Sequence, residues 1–323
     1  MSYYLYKLEF TTPLHIGDSK LANGLERSQL NICADTLFSA LCHTIIQFDG
    51  EEKLKIFVNK VCSNKILFSD TLPYKRDTLF IPKPYINSHT DKKADLTKRK
   101  LLKKLPYIPL LTLGQFMNSV FGKEDFNPEL VDNNFAQSRV DTKVNIPEND
   151  VTKLYSVASV SFNEGCGLYG IIKAKKEDAE YITRLFGFLG VGGIGGKISS
   201  GYGKFKLAEM VPLGSSDNSQ YQLLNQLLNN DTADYYISLT TALPTDHELD
   251  EVLDGATYNL IRRGGFMYST SLQMPIKKQT QHCFCAGSVF RKKFEGDVYN
   301  VAPKDAPHPA YRYLKPLFLG VSI

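Results

Sequence analysis

A dense run of glycines is the feature of this 323-residue sequence with the clearest chemical meaning. Glycine loses more conformational freedom on folding than any other residue, so some contact there must require bare backbone. Main-chain N–H groups brought close to a phosphate chain are one such requirement. The sequence therefore indicates an anion-binding loop. Its glycines are Gly187, Gly190, Gly192, Gly193, Gly195, Gly196, Gly201 and Gly203.

Three interpretations of this loop compete. Residues 190–195 fit the G-x-G-x-x-G pattern, but a predicted helix precedes them and a strand follows, whereas a dinucleotide site needs the reverse order. A Walker loop fails because Ile198 stands where Ser or Thr must ligate magnesium. The pattern favours a loop that grips an RNA backbone, while a loop whose glycines serve packing alone stays open. The residues expected to contact RNA are Gly192, Gly193, Gly195, Gly196, Lys197, Ser199, Ser200, Tyr202 and Lys204.

A basic run between positions 92 and 104 is the second feature suited to phosphate. Clustered cations neutralise phosphates and make binding depend on salt. A solvated loop with no partner is the alternative, and the sequence does not choose between guide RNA, target RNA and a protein neighbour. The cations are Lys92, Lys93, Lys98, Arg99, Lys100, Lys103 and Lys104.

His15, which follows the first predicted strand, is the candidate for RNA cleavage. A neutral imidazole can take the proton of a ribose 2′-hydroxyl, but no second His or Lys stands at a spacing that marks it as a partner. Contact with RNA and a structural role are therefore favoured over catalysis. Gly17, two residues further on, would add an N–H group to the same RNA-binding floor.

The sequence does not support metal chemistry. Cys283 and Cys285 form a close pair, but no second pair at zinc-ligand spacing accompanies them. Asp70, Asp77 and Asp141 stand singly, so a two-metal nuclease centre lacks its ligands. We assign no catalytic residue, no metal and no cofactor.

The composition is that of a folded cytoplasmic protein. Hydrophobic residues make up 43% and charged residues 22% of the chain, which are ordinary globular values. No segment approaches the roughly 18 consecutive apolar residues of a membrane helix, and the N-terminus lacks a secretion signal. The net charge of +4 is too small to prove a nucleic-acid partner.

The spacing of apolar residues predicts an α+β fold. Residues 3–10 are expected to form the opening strand, Asp35 to cap a helix, and residues 51–61 to form a second helix. Residues 153–162 and 168–172 alternate in polarity and are predicted to pair as a hairpin.

The chain length predicts two domains. Residues 85–150 have little periodicity and are expected to hold long loops or a projecting hairpin. Residues 214–232 are the best linker candidate, although their leucines could form one helical turn or two. The predicted division is therefore residues 1–213, a linker at 214–232, and residues 233–323, with ferredoxin-like units suggested by the order of strands and helices.

Several strings together resemble one family, the RAMP superfamily of CRISPR proteins. Within it, they are most similar to the subunit that caps the 5′ end of the guide RNA in type III-A (Csm) effector complexes. The glycine loop alone indicates only the superfamily, whereas Asp-Thr-Leu-Phe-Ser-Ala-Leu, Pro-Lys-Pro and Gly-Ser-Val-Phe narrow the match. The strings that carry the resemblance are residues 6–10, 13–17, 35–42, 69–74, 79–84, 200–205, 262–266, 286–290 and 308–313.

The resemblance implies two ferredoxin-like, RRM-like domains and a projecting β-hairpin thumb. It implies a non-catalytic scaffold in antiviral defence that holds the 5′ handle of the guide RNA (crRNA), meets the backbone RAMP subunit and docks the large subunit, with target RNA reached indirectly. Arg139 is expected on the thumb, and Arg262 and Arg263 are expected to extend the handle groove. The alternatives are a metal-independent RAMP endoribonuclease that cuts CRISPR repeat RNA through His15, and an assembly protein with minor RNA contacts.

Overall fold

Strands and helices alternate along the chain and give a mixed α/β fold with antiparallel sheets. A computed structural model describes residues 1–17, 25–86, 96–146, 152–267, 274 and 276–323. The helices are α1 (Ala34–Phe48), α2 (Glu51–Cys62), α3 (Leu96–Lys104), α4 (Leu113–Val120), α5 (Lys176–Gly192), α6 (Ser219–Leu228) and α7 (Leu249–Leu253). The strands are β1 (Ser2–Phe10), β2 (Leu67–Phe68), β3 (Leu72–Lys75), β4 (Thr78–Pro82), β5 (Tyr107–Pro109), β6 (Ala136–Asn145), β7 (Lys153–Phe162), β8 (Cys166–Ala174), β9 (Phe205–Pro212), β10 (Tyr235–Ser238), β11 (Leu260–Arg263), β12 (Gln281–Phe284), β13 (Val289–Phe290), β14 (Val298–Asn300), β15 (Tyr311–Tyr313) and β16 (Phe318–Val321).

One wide sheet organises the N-terminal part of the chain. Its order is β5-β4-β3-β8-β1-β9, and β2 beside β8 makes it 7-stranded. Because alternate residues of a strand face opposite sides, Tyr6 and Leu8 of β1 enter a cluster covered by α1, α2 and α5, whereas Leu5 enters a cluster with α4 and α6. The sheet therefore fixes both the helix α5 and the strand β9 between which the glycine loop lies.

The start of α1 differs from the sequence prediction. Asp35 was predicted as the N-cap, but α1 begins at Ala34 after Cys33, and Asp35 lies inside its first turn. The Asp70 carboxylate accepts the Ala34 N–H at 2.7 Å instead of a local cap. A side chain 36 positions away in the sequence thus accepts a free N–H group at the N-terminus of α1. The local sequence pattern could not reveal this contact.

The strands predicted over 153–162 and 168–172 exist, but their predicted pairing is wrong. Strand β7 pairs along its whole length with β6, while β8 pairs with β1, β2 and β3. No residue of strand β6 is fully buried, and its sequence therefore lacks the periodic apolar pattern that would have predicted a strand. Val140, Val144 and Leu154 of this ribbon are each more than half exposed.

The C-terminal part contains a 3-stranded sheet, β13-β10-β16, and two separate ribbons, β11–β12 and β14–β15. The segment 214–232 holds α6, whose Tyr221 and Leu224 pack in the same cluster as Leu5. Asp70 also accepts the N–H of Thr241 at 3.0 Å and its hydroxyl at 2.7 Å. Packing and hydrogen bonds therefore join the two parts, and the division into domains stays a prediction.

Candidate nucleic-acid interface

The glycine loop runs from the end of α5 to the start of β9. Gly193, Gly195 and Gly203 have φ values of 91°, 97° and 72°, in the left-handed region that favours glycine. A Cβ at Gly193 would lie 2.6 Å from Tyr202 O, and one at Gly203 would lie 2.0 Å from Ile194 O. Packing of the protein on itself therefore explains these glycines, as the alternative interpretation of the sequence held. Glycine density alone is not evidence for RNA.

The loop nevertheless leaves two of its main-chain donors without a protein acceptor among the described residues. The N–H groups of Ile194, Gly196 and Gly203 bond to protein carbonyls, as do several others in the loop. The hydrogen bonds of the described residues do not use the N–H groups of Lys197 and Ser199 at the exposed tip. Lys197 adopts a left-handed conformation with φ of 61°, and consecutive N–H groups around such a residue can form an anion-binding concavity.

His15 lies beneath the loop and supports it. Its side chain is buried, with the whole residue 2% exposed. Nδ1 lies 2.6 Å from Ala158 O on β7; since a carbonyl only accepts, Nδ1 carries the proton. The Gly196 N–H donates to His15 O at 2.8 Å, and a Cβ at Gly196 would lie 2.7 Å from His15 Cδ2. This environment gives His15 a positioning role and leaves its imidazole away from a solvent-borne substrate.

The β6–β7 ribbon meets the glycine loop. The Lys197 ammonium lies 4.5 Å from the ring centroid of Tyr155, and the Lys143 ammonium lies 5.8 Å from that of Tyr202. Lys143 and Tyr155 are themselves directly opposite each other in the ribbon. The ribbon and the loop therefore form one surface of two lysines and two tyrosines. Cation–π contacts of this kind hold the side chains in place while leaving the charges near solvent.

Sequence reasoning missed Lys143 and Tyr155. Lys143 falls in the region 85–150, which has little periodicity, and the pattern around Tyr155 predicts only a strand. The available signal was the alternation of Arg139, Asp141 and Lys143, which places their side chains on one face of an extended strand. Tyr202 was predicted as a stacking group, but it is only 8% exposed beneath Lys143.

The remaining loop residues and Gly17 lie around this surface. Gly195, Ser199, Ser200, Lys204 and Gly17 are exposed. The Lys204 N–H donates to Thr12 Oγ1 at 2.9 Å, which attaches the main chain at Lys204 to the segment that follows β1. Gly192 ends α5, and nothing lies within 4 Å of the position that a Cβ would take there. Gly17 forms an isolated antiparallel bridge with Ser28, which precedes α1 in the chain.

Arg139 stands on β6, and its side chain is 78% exposed. Its Nε donates to Asp141 Oδ1 at 2.6 Å on the same face of the ribbon. An exposed ion pair of this kind contributes little stability. Arg139 therefore remains able to turn toward an approaching phosphate.

Arg263, predicted to extend the handle groove, is held by a buried carboxylate. Its Nη2 and Nε donate to both oxygens of Asp35, at 2.6 and 3.0 Å, and Nη2 also donates to Thr36 Oγ1. The side chains of Arg263 and Asp35 are 11% and 9% exposed. Burial favours a raised pKa for Asp35, but the attraction of Arg263 and the hydrogen bonds from it outweigh burial and lower the pKa. Arg262, one residue earlier, is exposed.

Part of the predicted basic run lies outside the described residues. Lys92 and Lys93 belong to that part, and the side chains of Lys98 and Arg99 are not described either. Lys100, Lys103 and Lys104 are exposed on α3. Within the described ranges, His, Cys, Asp and Glu side chains do not gather in groups of three that could hold a metal ion. No helix in those same ranges combines the length and the apolar character needed to cross a membrane.

The class of this protein is defined by its antiparallel sheet together with the glycine loop that joins α5 to the edge strand β9. Comparison with family models identifies that class. The model of the RAMP superfamily matches residues 7–206. The model of the CRISPR Csm4 C-terminal domain matches residues 231–321. The chain therefore belongs to the Csm4 family of the RAMP superfamily, which confirms the resemblance seen in the sequence.

Curated relatives and solved structures agree with this assignment. The CRISPR system Cms protein Csm4 of Streptococcus thermophilus is 32% identical over 100% of both chains. The protein of the same name from Mycobacterium tuberculosis is 31% identical over 99% of this chain and 98% of its own. A chain of a Csm3–Csm4 subcomplex in the type III-A CRISPR-Cas interference complex superposes with a TM-score of 0.64, at 20% identity and full coverage of both chains. A chain of a Csm1–Csm4 cassette in complex with pppApA superposes with a TM-score of 0.63, at 18% identity over 100% and 99% of the two chains.

Proposed function

We propose that this chain is a non-catalytic, RNA-binding subunit of a type III-A CRISPR effector complex that holds the 5′ handle of the crRNA. The observation that carries the proposal is the meeting of the glycine loop with the β6–β7 ribbon. There, Lys197 and Lys143 lie against Tyr155 and Tyr202, next to the main-chain N–H groups of Lys197 and Ser199, which the hydrogen bonds of the described residues do not use. A single-stranded RNA needs this combination of phosphate donors and ring faces.

The predicted side chains have different roles in this proposal. Lys197, Ser199, Ser200 and Lys204 bind handle phosphates, together with the main-chain N–H groups of Lys197 and Ser199. His15 holds the loop in shape, because it is buried beneath Gly196 and bonded to β7. Tyr202 supports Lys143, and the half-buried Tyr155 offers the ring that a base can reach. Arg263 anchors α1, and the exposed Arg262 extends the groove.

We further propose that residues 1–213 and 233–323 each form a ferredoxin-like domain and that the β6–β7 ribbon is the thumb carrying Arg139. The related chains occur in complexes with Csm1 and with Csm3. On this basis, we propose that the corresponding large subunit and backbone RAMP subunit dock on this chain. Target RNA would then be met indirectly, through its pairing with the guide.

A charge-reversal experiment tests the RNA-binding role. In the purified chain, Lys197→Glu with Lys204→Glu should weaken binding of a labelled repeat-derived RNA, measured by fluorescence anisotropy across a salt series. For single strands, the slope of log K against log salt should fall by about 0.7 for each phosphate that the variant no longer neutralises. The matched control is Lys53→Glu with Lys176→Glu, which makes the same charge change at exposed positions on α2 and α5. Equal weakening by both pairs would overturn the assigned site.

A further inference from the structure

A second group of cations lies around the first turn of α1, apart from the glycine loop. Arg263 binds both oxygens of Asp35, and Arg312 Nε lies 3.8 Å from Asp35 Oδ2. The other guanidinium nitrogens of Arg312 donate to Gln279 O and Gly264 O, at 3.0 and 3.4 Å. One buried carboxylate thus serves two arginines, and both arginines are held by the fold.

Lys278 adds a third cation to this group. It is half-buried, and burial together with the positive charges of Arg312 and Arg263 lowers its pKa, although Asp35 acts in the opposite direction. Among the described residues, no carboxylate lies within ion-pair distance of its ammonium. The positive charge around Lys278 is therefore only partly balanced.

Two histidines extend the group. His43 lies on the exposed side of α1, and partial burial and the neighbouring Lys278 and His308 lower its pKa. His308 lies in the segment just before β15 and is half-buried. Within the described residues of this group, Lys278 and the two arginines have only the Asp35 carboxylate as counter-charge, and positive charges with so little counter-charge create a local potential that attracts an anion. A bound anion would relieve the repulsion and favour the charged forms of Lys278 and His43.

The length of chain between Ser28 and Asp35 limits how far this group can lie from the glycine loop. Gly17, at the edge of the loop surface, pairs with Ser28. The step of seven residues from Ser28 to Asp35 spans at most about 25 Å of extended chain. A short single strand that leaves the loop can cover that distance.

We infer that Lys278, flanked by His43 and His308, binds a backbone phosphate of the same RNA strand that the glycine loop holds. This inference rests on the proposed function and adds a second point of attachment on the C-terminal part of the chain. Arg263 and Arg312 do not bind the phosphate, because Asp35 and the main-chain carbonyls occupy them. Their charges add to the local positive potential.

The experiment compares two adjacent lysines. Lys277 pairs with Phe266 in an isolated bridge and is exposed, and neighbouring residues of an extended segment point to opposite sides. Lys277→Glu therefore makes the same charge change as Lys278→Glu without touching the cation group. With a labelled single-stranded RNA, we expect Lys278→Glu to weaken binding about tenfold and to lower the salt slope by about 0.7. Lys277→Glu should leave the salt slope unchanged and weaken binding less than about threefold.

Lys278→Gln is the second variant, since it removes the charge without placing a carboxylate beside Asp35. It should give the same reduction in salt slope while keeping the wild-type urea midpoint. Equal effects of the changes at Lys277 and Lys278, or normal RNA binding by both Lys278 variants, would overturn the inference. Another such result would be that the wild-type chain binds ATP and that Lys278→Glu abolishes this binding while RNA binding stays intact, because the group would then serve a free nucleotide. If the changes at Lys197 and Lys204 weaken binding and those at Lys278 do not, the proposed function stands and only this inference fails.

Discussion

Replacing Arg263 by alanine separates a structural arginine from an RNA-binding one. In the folded protein, the Arg263 guanidinium makes two hydrogen bonds to Asp35 and one to Thr36, with its side chain 11% exposed. Arg263→Ala leaves the Asp35 carboxylate buried and paired only with Arg312 at 3.8 Å. Removing one partner of a buried ion pair costs about 3–5 kcal/mol. We expect a decrease of that size in the free energy of unfolding.

Urea denaturation followed by circular dichroism measures the decrease, and Arg262→Ala is the matched control. Arg262 is the neighbouring residue on β11, it is exposed, and its substitution should cost no more than about 1 kcal/mol. The double change Asp35→Leu with Arg263→Met should be much less destabilising than the sum of the single changes, because it removes both charges together.

The pH dependence provides an independent check on the same pair. The pKa of Asp35 is lowered in the folded state, so the unfolded chain takes up this proton at a higher pH. The contribution of the pair is therefore fully present above the ordinary carboxyl pKa of about 3.9 and is lost as the pH falls through the lower folded-state value. An Arg263→Ala protein as stable as wild type but defective in RNA binding would refute the structural assignment.

Two further predictions concern the loop and the cap of α1. Gly203→Ala should destabilise the protein in thermal unfolding by at least about 2 kcal/mol more than Gly201→Ala. Both glycines have a positive φ, but only at Gly203 would a Cβ lie 2.0 Å from Ile194 O. Equal effects of the two changes would contradict the conclusion that packing requires glycine at position 203. Burial raises the pKa of Asp70 to about 6 in spite of its hydrogen bonds from Ala34 and Thr241, so the folded state holds its proton more tightly than the unfolded chain. The contribution of Asp70 to stability should therefore fall by up to about 3 kcal/mol as the pH rises from about 4 to about 6. The difference in unfolding free energy between wild type and Asp70→Asn, measured across this pH range, should show this fall. A difference that does not vary with pH would contradict the raised pKa.

Much of the fold and the family could be predicted from local sequence. Residues 3–10 are rich in aromatic side chains and roughly alternate in polarity, which predicts a strand. The helices over 51–61 and 176–189 repeat apolar residues at helical spacing. These patterns depend on which side of an element faces the core, a property of neighbouring residues. The strings at both ends of the chain were specific enough to indicate the family that the comparisons confirm.

The candidate site depended on tertiary structure to a greater extent. The glycines of the loop were predicted to serve RNA, yet backbone contacts with His15 and Ile194 already require glycine there. The partner of Asp35 is Arg263, 228 positions later, and Lys197 meets Tyr155 through a ribbon whose first strand has no buried residue to mark it. Local periodicity shows that a residue is buried or exposed, but only the packed sheet decides which distant charge or ring lies beside it. For that reason the sequence determined the elements and the family of this protein, whereas the fold decided which of its arginines and lysines are held by buried partners and which stand exposed.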